Sequence, residues 1–150
     1  MFIMGQRSLN TEVVPKMGTH GFEYLTIVTL LALLQFIWLG VRVGAARGKY
    51  GISAPATTGH DLFERHYRVH YNTLEALVVF IPALWAFGYY IDQYGAAGLG
   101  VIYLIGRVIY AISYVKDPKA RGMGMLFSSL PVYVLLLGGL GAAVWDLLVG

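Results

Sequence analysis

Four apolar stretches divide the chain, and each approaches the length of about 20 residues that a helix needs to cross a bilayer. The first runs from Tyr24 to Val41 without a charge, between Glu23 and Arg42. The second covers Ala76 to Ile91 and follows a polar stripe, FERHYRVHYNTLE, at residues 63–75. The third extends from Gln93 to Val115 and holds one charge, Arg107. The fourth spans Gly122 to Trp145, ahead of Asp146. This pattern predicts an all-α integral membrane protein, a single domain over residues 1–150, with transmembrane helices at roughly 22–44, 62–92, 96–116 and 123–146. A cleaved signal peptide is the competing reading of the first stretch. Against it, the apolar run is longer than a usual signal core, and no short charged segment immediately precedes it.

The connections set the expected arrangement. The link at residues 92–98 is short, so the second and third helices should be antiparallel neighbours. The link at about 45–61 carries Gly48, Gly51, Pro55 and Gly59 and should be irregular. Asp61 then offers an N-cap, with Glu64 three residues on as in a capping box. The second helix should start there and project beyond the membrane before crossing it. Pro118 should end or kink the third helix. The expected unit is a four-transmembrane-helix bundle, with neither an internal repeat nor a second domain.

Composition sharpens this. The chain is 57% hydrophobic and 13% charged, whereas a soluble domain carries about 25% charged residues. The net charge of +3 is modest. Arg42, Arg47, Lys49, Arg65 and Arg68 lie in or beside the first connection, and Lys116, Lys119 and Arg121 in the third. The N-terminal tail has only Arg7 and Lys16, and the second connection has no cation. The positive-inside rule puts connections 1–2 and 3–4 in the cytoplasm and both termini on the other face. Charge so placed speaks for topology and ligand binding, and against nucleic acid. Cysteine is absent, which excludes disulfides and thiolate metal sites; any thiol chemistry needs a thiol supplied by a cosubstrate. His66 and His70 are four residues apart, but their face offers no third ligand, so no metal is expected.

Charged side chains at membrane depth are kept where they face a bundle interior, a cavity or a ligand. At about 100° per residue, Arg65, Arg68, Asn72 and Glu75 fall within about 80° of one another. Arg107, Tyr110 and Tyr114 share a face of the third helix in the same way. Guanidinium forks bind carboxylates bidentately, a glutamate accepts from an ammonium, and an asparagine does both. A zwitterion with several carboxylates and one amine matches this inventory. Simpler roles also fit: Arg68 pairing with Glu75, Arg65 snorkelling to the interface, the tyrosines forming an aromatic belt. Arg121 lies beyond Pro118, where helical periodicity does not place it, and a plain interfacial arginine suits the same position.

These residues resemble those of the MAPEG family, the membrane-associated proteins in eicosanoid and glutathione metabolism. The likeness covers roughly residues 22–148. It rests on Phe63-Glu64-Arg65, Arg68, Asn72 and Glu75, then on Arg107, Tyr110, Tyr114 and Arg121, with Ser53, Pro55, Thr57, Thr58 and Gly59 in the first loop. The resemblance implies a homotrimer with glutathione as cosubstrate, bound between subunits toward the cytoplasmic side. It implies that Arg68, Asn72 and Glu75 hold the polar ends of glutathione, assisted by His70. Tyr110 and Tyr114 would come from the adjacent subunit, with Arg107 supporting the polar layer. Arg121 matches the arginine that stabilises the thiolate, and Arg47 a further glutathione-contacting arginine.

The chain departs from the family pattern in places. Gly48 stands where the leukotriene-synthase branch has a second consecutive arginine, with Lys49 beside it as the available substitute. Gly122 stands where the prostaglandin-synthase branch has a serine tied to its activity, which disfavours that reaction. The implied function is a membrane-bound glutathione transferase, with possible peroxidase activity, acting on lipophilic electrophiles or lipid hydroperoxides drawn from the bilayer. A non-catalytic lipid-binding or scaffold protein of the same fold is the alternative. A small transporter subunit would explain the buried charge but not the motif set.

Overall fold

A computed structural model describes residues 22–149. It contains four long helices: α1 (Phe22–Tyr50), α2 (Asp61–Tyr90), α3 (Gln93–Lys116) and α4 (Gly122–Val149), with a 3-10 turn at Pro118–Arg121 between the last two. No strand occurs among the described residues. All four helices are long and apolar enough to cross a membrane. With 29 and 30 residues, α1 and α2 reach about 45 Å at 1.5 Å per residue, beyond a hydrocarbon core of about 30 Å.

α1 continues past the expected end near residue 44. Ala45, Ala46 and Arg47 are good helix formers, and Gly48 alone does not stop them. The stop comes at Gly51, whose φ of +66° is a backbone conformation open to glycine. The Ile52 N–H reaches back to the Arg47 carbonyl at 3.0 Å, closing the helix end. The connection is therefore shorter than the sequence suggested. It is held by Arg47, which donates to the Ala56 carbonyl at 2.9 Å and the Ile52 carbonyl at 3.4 Å and lies 4.8 Å over the Phe63 ring.

The N-cap of α2 lies one residue earlier than expected. His60 is the N-cap: its Nδ1 accepts from the Leu62 N–H at 3.2 Å, and its ring stacks on Tyr50 at 3.7 Å. Asp61 is instead the first helical residue, and Glu64 accepts from the Gly59 N–H at 2.9 Å. The reach-back of a capping box survives in shifted form. At the other end, Asp92 caps α3 by accepting from the Gly95 N–H. α3 stops at Lys116 as Pro118 requires, and the Asp117 carboxylate accepts from the Lys119 N–H at 3.0 Å to start the 3-10 turn.

Leu25, Val28, Phe80, Leu84, Tyr103 and Leu135 pack the larger core cluster. Toward the end bearing the long loop, Leu39, Val69, Tyr110 and Ala111 form a smaller one. Large apolar side chains such as Leu34, Ile37, Val78 and Leu137 remain exposed, the surface a bilayer-embedded protein presents. α3 and α4 touch main chain to main chain. A Cβ on Gly106 would lie 2.6 Å from the Phe127 carbonyl carbon, and one on Gly124 would strike the Tyr110 backbone.

Candidate functional site

The packing of α2 against α3 and α4 joins the two polar stripes. Arg68, Asn72 and Glu75 from α2 face Arg107, Tyr110 and Tyr114 from α3 across one cavity of about 610 Å³. Ligand sites usually measure about 300–1,000 Å³. Arg121 lines the same cavity, because the 3-10 turn after Pro118 folds the chain back over the end of α3. Its guanidinium carbon lies 5.7 Å from the centre of the Tyr114 ring. Periodicity did not foresee this placement; a capped proline turn produces it.

The cavity wall is internally braced. The Asn72 amide donates to the Tyr110 phenol oxygen at 2.6 Å, which leaves the phenol's own proton to donate elsewhere. Arg107 is 5% exposed. Its Nη2 donates to the Thr73 hydroxyl, and its guanidinium carbon sits 4.4 Å over the Tyr110 ring. Cations are attracted to the π face of an aromatic ring at such distances. The Thr73 hydroxyl donates to the Val69 carbonyl at 2.7 Å, so its lone pairs are oriented for the guanidinium. Tyr110 and Tyr114 have ring centres 5.5 Å apart. A ladder of cation, ring, ring and cation thus runs from Arg107 to Arg121. Three arginines and one glutamate line the space, so it carries positive potential with one acceptor for an ammonium.

The structure places the other expected residues as follows. Within one chain, Tyr110 and Tyr114 face Arg68, Asn72 and Glu75, since α3 packs directly on α2. Arg65 shares the helical phase of the stripe, yet it donates to the Val115 and Lys116 carbonyls at 3.1 Å each and pairs with Asp61 at 3.0 Å. It closes the carbonyl end of α3. His70 and Arg47 also lie apart from the cavity within the chain. His70 stacks on Phe36 at 4.3 Å, facing α1, and Arg47 holds the first loop. Among the described residues, no three His, Asp or Glu side chains cluster as metal ligands do.

Thr73, Met125 and Ser129 escaped the sequence reading. Met125 and Ser129 line the cavity, and Thr73 supports it through Arg107. A buried arginine needs an acceptor, and a threonine in the polar stripe of the neighbouring helix was the available signal.

Comparison with known proteins bears on the same residues. The family model for MAPEG matches residues 24–141. The chain is 38% identical over 120 residues to microsomal glutathione S-transferase 2 of Homo sapiens, covering 79% of this chain and 82% of that protein. It is 34% identical over 112 residues to leukotriene C4 synthase of Cavia porcellus, covering 75% of each. It is also 44% identical over 121 residues to an uncharacterized protein of Synechocystis sp., covering 81% of this chain and 88% of that one.

Proposed function

The chain belongs to the MAPEG family, and from that footing we propose that it is a membrane-bound glutathione-dependent transferase. The observation that carries this reading is the convergence of Arg68, Asn72, Glu75, Arg107, Tyr110, Tyr114 and Arg121 on one cavity. Glutathione fits that donor set. Its two carboxylates suit guanidinium groups, which bind such anions bidentately, and its ammonium suits Glu75. With the thiol ionised it carries two negative charges net, matching the excess of arginine over glutamate. The transferase and synthase names of the relatives point the same way.

In this proposal Arg68 and Glu75 anchor the charged ends of the tripeptide, while Asn72 orients the Tyr110 phenol toward it. Arg121 stands beside the sulfur. A free thiol has a pKa of about 8.5, and the thiolate is the nucleophile. A guanidinium stays charged at working pH and stabilises the anion without exchanging a proton. The thiol proton leaves to water, and the thiolate forms a C–S bond with an electrophilic carbon of a lipophilic substrate arriving through the bilayer, the leaving group departing with its electron pair. With a lipid hydroperoxide it takes the outer oxygen, and the O–O bond breaks to give the lipid alcohol and a sulfenic acid. A second glutathione reduces that to the disulfide and water. Arg107, braced by Thr73 and the Tyr110 ring, keeps the floor of the site positive. The full unit of this proposal is a homotrimer, with connections 1–2 and 3–4 in the cytoplasm. Arg47 and His70 then serve the loop and the α1–α2 contact.

The test is direct. Purified protein is mixed with glutathione, and thiolate absorbance and conjugation of a generic aromatic electrophile are followed. Thiolate formation and turnover are expected, both falling sharply in Arg121→Ala, with weakened glutathione binding in Arg68→Ala and Glu75→Ala. Absence of both signals in the unmutated protein overturns the enzyme reading in favour of a non-catalytic lipid-binding protein. Equal activity in Arg121→Ala removes only the role given to Arg121.

A further inference from the structure

A second cavity, of about 200 Å³, opens between α1 and α3 at the end of the bundle that bears the long loop. It shares no residue with the glutathione cavity proposed above. Its floor is apolar, formed by Leu39, Val69 and Ala111, all buried. Three basic side chains, Arg42, His66 and Lys116, line the same cavity, and no carboxylate does.

The two kinds of residue are sorted by depth. On α1 Leu39 precedes Arg42 by three positions, on α2 Val69 follows His66 by three, and on α3 Ile112 precedes Lys116 by four. α1 and α3 run toward the loop-bearing end and α2 away from it, so each basic residue lies about 4.5–6 Å nearer that end than its apolar partner. α1 and α3 therefore repeat one gradient, positive charge at the membrane boundary and hydrocarbon one turn deeper, and α2 sets the polar His66 imidazole at the level of the two cations. Arg42 is also steadied at the mouth, its guanidinium carbon 5.1 Å over the Trp38 ring.

We infer that this slot binds an anionic phospholipid of the surrounding leaflet, with part of one acyl chain on the Leu39–Val69–Ala111 floor and the phosphate between Arg42 and Lys116. The depth order selects an amphiphile. The absence of carboxylates selects a negative headgroup, and the small volume admits a segment of a single chain while the rest of the lipid stays in the bilayer. A zwitterionic lipid would present its own cation to the same arginine and lysine. The site is independent of the glutathione reading, because Arg42 and Lys116 take no part in that cavity.

Native mass spectrometry of the detergent-solubilised full chain tests this. The protein is titrated with phosphatidylglycerol and, separately, phosphatidylcholine of the same acyl chains. Each basic residue near a phosphate contributes about fivefold in affinity, so Arg42→Gln with Lys116→Gln should lose about thirtyfold for phosphatidylglycerol and little for phosphatidylcholine. Retention of phosphatidylglycerol over phosphatidylcholine by the unmutated protein, abolished in the double variant, supports the site. Equal retention of the two lipids by the unmutated protein overturns it without recourse to any variant. So does a preference that the double variant keeps. A double variant that loses subunit association while holding lipid as before shows that the slot seats a second copy of the chain, and also overturns it.

Discussion

Thr73→Val replaces a hydroxyl with a methyl of similar size at a position 1% exposed. The change removes the acceptor of the Arg107 guanidinium and leaves helix geometry alone. A hydrogen bond to a charged group contributes about 1.5–3 kcal/mol. Bonds between neutral side chains of membrane helices average about 0.6 kcal/mol, because alternative partners are at hand. Arg107 has few of them: its Nε is buried and has no hydrogen-bond partner among the described residues. The larger figure therefore applies. The added methyl offsets about 0.8 kcal/mol through apolar burial, so the net loss should be about 1–2 kcal/mol, by combining these contributions. With Arg107→Met the guanidinium is gone, and the same Thr73→Val change should be neutral or stabilising by up to about 0.8 kcal/mol. Unfolding of the four proteins by sodium dodecyl sulfate in mixed micelles, followed by tryptophan fluorescence, completes the cycle. An equal cost of Thr73→Val in both backgrounds, with coupling below about 0.5 kcal/mol, would refute the bond as the brace of Arg107.

Two further outcomes follow from the helix contacts. Gly106→Ala and Gly124→Ala should each destabilise by at least about 1–3 kcal/mol through forced separation of α3 and α4. Gly44→Ala, where an added Cβ meets nothing within 4 Å, should be neutral or stabilising by up to about 1 kcal/mol; the same micelle titration reads all three. At the start of α2, Asp61→Asn should change stability by less than about 0.5 kcal/mol, since that carboxylate is 82% exposed and exposed pairs contribute little. Arg65→Gln should cost about 1 kcal/mol or more, because it also frees two carbonyls at the end of α3. Thermal melts in detergent that rank Asp61→Asn as the costlier change would show that the ion pair, and not the carbonyl contacts, sets the worth of Arg65.

The apolar runs made the four helices legible, and a rotation of about 100° per residue made the Arg68–Asn72–Glu75 face legible too. The same rotation puts His70 on the far side of α2 from that face, where it meets Phe36. Phase misled for Arg65, because α2 overhangs the end of α3 and side chains there meet terminal carbonyls. Arg121 was beyond reach of periodicity, since its position depends on how Asp117 and Pro118 turn the chain. Thr73 was hidden because a threonine bonded to the carbonyl one turn back looks ordinary until its second role is seen across the helix interface.

The paired close approaches at Gly106 and Gly124 have one more consequence. Gly106 meets α4 at residues 127–128, and Gly124 meets α3 at residues 109–110. The two contacts are one turn apart along an antiparallel pair. Two points of backbone contact fix a direction as well as a distance, so α3 and α4 behave as one stiff plate. That plate carries Arg107, Tyr110 and Tyr114, and its connecting turn carries Arg121. The wall of the cavity built from α3 and the turn before α4 is thus fixed by backbone contact at its own level, whereas Arg68, Asn72 and Glu75 project from α2, whose backbone meets α4 near Gly139, about three turns away.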